Sequence, residues 1–504
     1  MNNPASITPF ACVSYVWGRR RKPNPIHQGK RMSTCTLTAL AAAMRNSTVS
    51  AFWIDAFCIP VVEPQRRATL ESMGFIYHLA AETIVVLSGA KPTTLQQMQQ
   101  SDILDHKALL DLAHDEWVTS VWTYQEMVNS EDVRFVSSKH TGDQLGLWCS
   151  HWISMQVSKR LYSWLGEAAI DGSHFLDCVG HSLALYREAN ELNSFDIRKD
   201  YPRLDTLEDL IADWLTGTYT QRSAFQVMSN LDRRYTAKPE HYFYSMIGSI
   251  TKDPFDRAPD MSLADLANTV MRICEQRNDY SFIYSSNVRD QNVGRTWCPK
   301  PEPLHSILPW YSLGKSQKGH YDSEGFWLDD MLCLEPSANL EEFEKETIIE
   351  QLHIEIPNKA NSTDTSIAHL IFSVLQSIGF TGSKVYVPTT HGFFYPQNSL
   401  KADASIEVLV ATTIRWVFGS PALAKSTSGD TVSFMPGVFI GSIPKENSRH
   451  ALIDTTAKEP VEIAAKIYFD PPKPDQGGHM RRHAGRKAVF FTLDTNLSPV
   501  LGRT

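Results

Sequence analysis

The chain has 504 residues, 42% of them hydrophobic and 21% charged, enough for two or three domains each with its own core. A formal charge of -8 excludes the broad positive field with which a dedicated nucleic-acid binder displaces counterions from phosphates, so nucleic acid is not an expected partner. Eight cysteines without a Cys-x-x-Cys pair, an amino terminus with no basic-then-apolar pattern, and the lack of any uncharged apolar run of about 18 residues predict a reduced, cytoplasmic protein with neither secretory signal nor membrane span.

Ala11 to Trp17 is apolar and β-prone, and Gly18 after it permits a sharp turn. Arg19-Arg20-Arg21-Lys22, with Lys30 and Arg31, is the densest positive patch; it is a solvated loop or, if it overhangs a crevice, a contact for pyrophosphate. Ser33 to Arg45, rich in Ala and Leu with Ser33 or Thr34 as cap, predicts a helix. A second strand, Ala51 to Phe57, leads through Pro60 and Pro64 into a helix over Gln65 to Ala81, with Leu70, Met73, Gly74, Tyr77 and Ala80 or Ala81 on one stripe. Helices over Leu95 to Ala113 and Glu116 to Val128 then separate a third strand, Thr83 to Leu87, from a fourth, Asp132 to Val136. Strands alternating with helices of this length give an α/β fold with a mostly parallel sheet covered on both faces.

Residues 150 to 250 read as helical, with Leu183 to Tyr186 and Leu207 to Leu215 as amphipathic pieces, and a further helix is expected near Leu263 to Glu275. Residues 286 to 325, rich in Pro and Gly, read as a long irregular connection. Strands follow at Lys384 to Val387, Ile406 to Thr412, Thr431 to Ile440, Glu462 to Phe469 and Ala488 to Leu493. The expected organisation is therefore an α/β core over 1–140, a helical continuation over 141–255, a mixed irregular connection over 256–365 and a β-rich carboxy-terminal module over 366–504. Gly314-Lys315-Ser316 lacks the first Gly and the preceding strand of a P-loop, and His479 and His483 have no Cys or carboxylate beside them, so no metal site is expected.

Four blocks carry the most information: Ser14-Tyr15-Val16-Trp17-Gly18, Trp53-Ile54-Asp55-Ala56-Phe57-Cys58-Ile59, Met73-Gly74-Phe75-Ile76-Tyr77 followed by Ala80, and Trp122-Thr123-Tyr124-Gln125-Glu126. In that order they resemble the heterokaryon-incompatibility (HET) domain of filamentous fungi, and Arg234 to Pro239 with Tyr244 to Gly248 resembles the segment that closes many HET regions. Four positions depart from the family pattern: Pro60-Val61 replaces Asn-Gln, Ser120 stands where an Arg is usual, and His241 where an Asp is common. The resemblance implies a role in non-self recognition or regulated cell death, exercised with an unknown non-self or signalling protein partner and with self-association. The HET family is in turn distantly similar to Toll/interleukin-1 receptor (TIR) domains. That similarity implies a TIR-like or flavodoxin-like sheet flanked by helices, and a glutamate four residues after a Trp that cleaves the glycosidic bond of NAD.

Trp122 and Glu126 have that spacing, which on a helix puts them on one face with Gln125 beside them. The resemblance thus makes Glu126 the catalytic carboxylate, stabilising an oxocarbenium-like ribosyl centre with no cofactor, NAD being the substrate; the alternative is a solvated or ion-paired helix carboxylate. Asp55 is placed to contact a ribose at the carboxyl end of the second strand, or else caps the following turn. Ser14, Tyr15, Trp17 and Gly18 lie at the matching end of the first strand as further binding residues, with Trp122 either stacking on nicotinamide or packing its helix. Cys58 reads as a buried thiol at a strand end. The competing reading is a non-catalytic signalling or assembly module with a degenerate HET domain.

Overall fold

The computed structural model describes residues 8–138 apart from Lys91, 169–189, most of 201–252, 261–285, 297–300, most of 316–352, 364–377 and most of 380–453. The expected strands at Glu462 to Phe469 and Ala488 to Leu493, the pair His479 and His483, and Gly314-Lys315 lie outside the described residues.

The amino-terminal part alternates as its hydrophobic pattern predicts. Its elements are β1 (Phe10–Tyr15), β2 (Arg21–Pro23), β3 (Arg31–Ser33), α1 (Thr36–Asn46), β4 (Ala51–Trp53), α2 (Asp55–Cys58), α3 (Gln65–Glu71), α4 (Met73–Leu79), β5 (Glu82–Leu87), α5 (Pro92–Gln100), α6 (His106–Ala113), α7 (Glu116–Thr119), α8 (Val121–Val128) and β6 (Val133–Ser137). With β7 (Ile170–Asp171) they form a five-stranded sheet in the order β4-β1-β5-β6-β7. The first four strands are parallel and β7 is antiparallel. Counted within the sheet the order is 2-1-3-4-5, the flavodoxin-like arrangement, whose switch point falls between the first and third strands. Here that is between β1 and β5.

Five elements differ from the sequence expectation. The second strand ends at Trp53, because the Phe57 and Cys58 N–H groups donate to the Ile54 carbonyl and the Asp55 carboxylate accepts from Ala56 N at 2.6 Å, which starts the single turn of α2. The helix over 65–81 breaks at Ser72 into α3 and α4. Asp105 caps a separate α6 through Ala108 N at 2.7 Å. At Ser120 the backbone is extended and bridges Tyr235, with Val121 N donating to Tyr235 O and Tyr235 N to Thr119 O, so α7 and α8 are distinct helices. The basic stretch after β1, a loop by composition, pairs into the hairpin of β2 and β3.

Helices α9 (Gly172–Ala189), α10 (Ala224–Asp232), α11 (Pro239–Ile250) and α12 (Leu263–Gln276) follow, the last opened by a capping box between Ser262 and Asp265. After β8 (Gly319–Tyr321), β9 (Phe326–Leu334), α13 (Glu342–Leu352) and α14 (Asp364–Ser377) come β10 (Val387–Thr389), β11 (Gly392–Pro396), β12 (Ser405–Ala411), β13 (Ser420–Ser428), β14 (Thr431–Gly441) and β15 (Ser448–Ile453). These strands build an antiparallel sheet in the order β10-β11-β14-β13-β12-β9-β15, with β8 on β9. One continuous buried core extends from Val85 in the parallel sheet, through α10 to α12, to Ile440 in β14.

Helices α4 and α11 touch backbone to backbone. A Cβ on Gly74 would lie 2.0 Å from the Gly248 carbonyl oxygen, which also accepts from Asn129 Nδ2 at 2.8 Å. A Cβ on Gly248 would lie 2.0 Å from Gln125 Oε1, the far end of a side chain. Gly74→Ala is therefore expected to cost about 3 kcal/mol in denaturant unfolding, and Gly248→Ala less, because a side chain can turn aside where a helix backbone cannot.

Candidate functional site

Successive residues of β1 face opposite sides of the sheet, so the last two serve different neighbours. Ser14 turns toward α8: its Oγ donates to Glu126 Oε2 at 2.5 Å and accepts from Trp117 Nε1 at 2.7 Å. Tyr15 turns toward α1 and donates to Asp55 Oδ1 at 2.9 Å, leaving Thr36 Oγ1, 2.8 Å away, to donate to it. Just beyond the strand, Trp17 Nε1 donates to Asp55 Oδ2 at 2.5 Å. Two carboxylates distant in sequence are thus tied to two consecutive residues at the carboxyl end of β1, beside the switch point.

Their electrostatics differ. Burial pushes the Glu126 carboxyl up to about 8; the Ser14 hydrogen bond opposes this, the Asp55 charge adds to it, and Tyr77 opposes it as a further hydrogen-bonding partner. Burial raises Asp55 to about 6, against the lowering bonds from Tyr15, Trp17 and the Ala56 N–H. The influence runs from Asp55 to Glu126 and not back, because Asp55 ionises first, while Glu126 is still neutral. Near neutral pH the pair therefore holds one carboxylate and one carboxylic acid, the separation of roles that acid–base chemistry requires.

The remaining residues divide between the site and the scaffold. Gly18 has φ +59° and turns the chain out of β1. Arg21 folds back over this turn, its guanidinium 5.2 Å from the Trp17 ring centroid and donating to the Gly18 carbonyl at 2.6 Å. Trp122 packs its helix: it reaches both neighbouring cores and donates from Nε1 to His241 Nδ1 at 3.1 Å. Burial lowers His241 to about 4, so the ring is neutral and its Nδ1 accepts. Gln125, expected among the binding residues, is fully buried against Gly248, and its amide makes no hydrogen bond among the described residues. Asp55 opens α2 and does not close a strand, and Cys58, at the end of that turn, is exposed where a buried thiol is expected.

Sequence reasoning misses Trp117, Thr36 and Tyr77. Tyr77 stands inside the third block, and its hydroxyl was the available signal. Trp117 belongs to no block, and only the fold brings it to Ser14.

Ser120, in place of the usual Arg, offers its carbonyl to Arg234 Nη1 at 3.3 Å, which also donates to the Val118 carbonyl at 3.0 Å. A guanidinium from the closing segment thus packs against the α7–α8 junction.

Residues 10–126 match the family described as Heterokaryon incompatibility protein (HET). No curated protein and no solved structure matches the chain. The matched region opens on the first residue of β1 and closes on Glu126 in α8, and it contains both carboxylates with the β1 residues that hold them. Residues 10–126 are accordingly a heterokaryon incompatibility domain.

Proposed function

We propose that the HET domain acts in the cytoplasm in fungal non-self recognition or regulated cell death, by hydrolysing the N-glycosidic bond of NAD in the manner of a TIR domain. What supports this is the carboxylate pair: a buried and a half-buried acid with separated titration, tied to the carboxyl end of β1 beside the switch point of a parallel sheet. The nicotinamide ring of NAD is cationic, and a positive charge beside Glu126 would draw off the proton that burial retains. The glutamate would then be charged only when substrate is present. As the ribosyl–nitrogen bond breaks, its electron pair neutralises the ring, and the Glu126 carboxylate stabilises the oxocarbenium-like C1′. Water then adds to C1′, its proton leaving through the carboxylate pair, to give nicotinamide, ADP-ribose and a proton.

The test follows nicotinamide release from NAD by purified protein, both dilute and artificially clustered, because self-association is the trigger expected of such a domain. Release by the wild type and a loss of about a thousandfold in Glu126→Gln are expected. No release from folded, clustered protein would overturn the assignment.

The enclosure of Glu126, 6% exposed and bonded to Ser14, favours a second reading in which the pair latches α8 onto β1 and the domain signals by assembly. Under that reading Glu126→Gln, which can still accept from Ser14, leaves toxicity in cells intact, and surface substitutions abolish it.

A further inference from the structure

Another group of ligand atoms lies at the far edge of the parallel sheet, between the segment after α5 and the start of α9. His174 and Cys178 are four residues apart on α9 and share a face. Asp102 meets them from the segment joining α5 to α6, and one ligand atom from each of the three lies within 4.8 Å of the others. His174 Nδ1 is 3.9 Å from Asp102 Oδ1 and 4.0 Å from Cys178 Sγ.

Those separations suit a small tetrahedral cation. With zinc–nitrogen and zinc–oxygen bonds of about 2.0 Å and a zinc–sulfur bond of about 2.3 Å, tetrahedral ligand atoms stand about 3.3 to 3.5 Å apart, so the three side chains, now within 4.8 Å of one another, would close by about half an ångström to about 1 Å to complete the geometry. The histidine is already oriented for it. His174 Nε2 is 2.7 Å from the Met98 carbonyl, an acceptor, so that nitrogen carries the proton and Nδ1, on the Asp102 side, keeps its lone pair, while Cys178 Sγ lies beside the ring, 3.7 Å from Nε2 and 4.0 Å from Nδ1. A backbone carbonyl fixing the tautomer in this way is the usual support behind a metal-bound imidazole. Further along the same helix, Asp177 interacts electrostatically with His174, His181 and Asp102, and His181 has a buried Nε2 with no hydrogen-bond partner among the described residues.

We propose that Asp102, His174 and Cys178 bind Zn2+, with the fourth position taken by water or Asp177. One thiolate, one imidazole and one carboxylate suit zinc over magnesium or calcium, which prefer oxygen ligands alone. Binding displaces the Cys178 thiol proton to solvent and forms the sulfur–zinc bond. It pins the α5–α6 segment to α9 at the edge where antiparallel β7 joins the sheet. Sequence inspection overlooks the site because one ligand lies far upstream of the His-x-x-x-Cys pair.

The test uses the full chain, stripped of metal by a chelator under reducing conditions and titrated with Zn2+ and with Co2+. One equivalent of Zn2+ should bind, and Co2+ should give an ultraviolet thiolate-to-cobalt charge-transfer band with the visible bands of a tetrahedral ion. Cys178→Ser should lose the charge-transfer band. Asp102→Asn, at a side chain 69% exposed and so safe for folding, should weaken Zn2+ binding at least about tenfold. A folded wild type without the cobalt band, a charge-transfer band that persists undiminished in Cys178→Ser, or an unchanged Zn2+ affinity in Asp102→Asn would overturn the proposal and leave Asp102 and His174 as a surface contact.

Discussion

Glu126→Gln is expected to raise the unfolding midpoint markedly at pH 8 and to change it little near pH 4.5. In the native domain the carboxyl keeps its proton up to about 8, whereas in the unfolded chain it titrates near 4.5. Between those values unfolding releases a proton, so wild-type stability falls as pH rises, by up to about 1.4 kcal/mol per pH unit for one group, and levels off above the native value. Across the window this is roughly 4 kcal/mol, and Gln, neutral in both states, removes it. Asp55 adds a second decline between 3.8 and about 6, which the variant retains. Unfolding curves of both proteins from pH 4.5 to 8 decide the matter, and parallel pH profiles would show that Glu126 is not held neutral. Read beside nicotinamide release, a stabilised but inactive Glu126→Gln separates a chemical role from a structural one.

The second large effect is expected at Arg222, whose fully buried guanidinium closes the carboxyl end of α8. It donates to the Val128 carbonyl, to Asn129 Oδ1 at 2.8 Å and to the Ser249 carbonyl at 3.0 Å. Its charge also bears on Asp213, a carboxyl that burial raises to about 6 against the lowering bond from Tyr124 at 2.5 Å, the Arg222 charge and the bond from Asn230 at 2.6 Å. Arg222→Met keeps much of the volume but leaves these acceptors and the Asp213 backbone carbonyl without their donor, and Asp213 with only the Arg234 charge, at an expected cost of about 3–5 kcal/mol. Adding Asp213→Asn should recover at least about 1 kcal/mol, since the two residues share one network. Denaturant unfolding of the single and double variants measures both figures, and additivity would argue against the coupling.

The parallel sheet was legible because β1, β4, β5 and β6 are short apolar runs separated by helical periodicity, a signal that rests on backbone geometry alone. In the carboxy-terminal sheet, β12 and β14 were legible for the same reason. By contrast β13, which carries Ser, Lys and Thr among small residues, lacks the apolar alternation that marks a strand. Helix breaks were hidden wherever a distant partner makes them. Ser120 is extended because Tyr235 pairs beside it, and nothing within residues 116–128 announces that. Within the site, the blocks located Ser14, Asp55 and Glu126 but not their pairing. Which of two adjacent strand residues meets which acid depends on the side of the sheet each helix covers, and that is set by chain crossovers.

The contact at Gly74 and Gly248 determines which wall of the carboxylate pair can open. Two helix backbones in van der Waals contact, with Gln125 wedged beside them, leave no slack for α4, α8 and α11 to slide apart, so the floor beneath Glu126 moves as a single block. The opposite wall is a single helical turn, α2, moored by the Asn24 amide to the Ala56 carbonyl and by His27 to the Phe57 carbonyl, and by Asp55 itself. Lifting that turn breaks a handful of hydrogen bonds, which makes α2 the softer of the two walls.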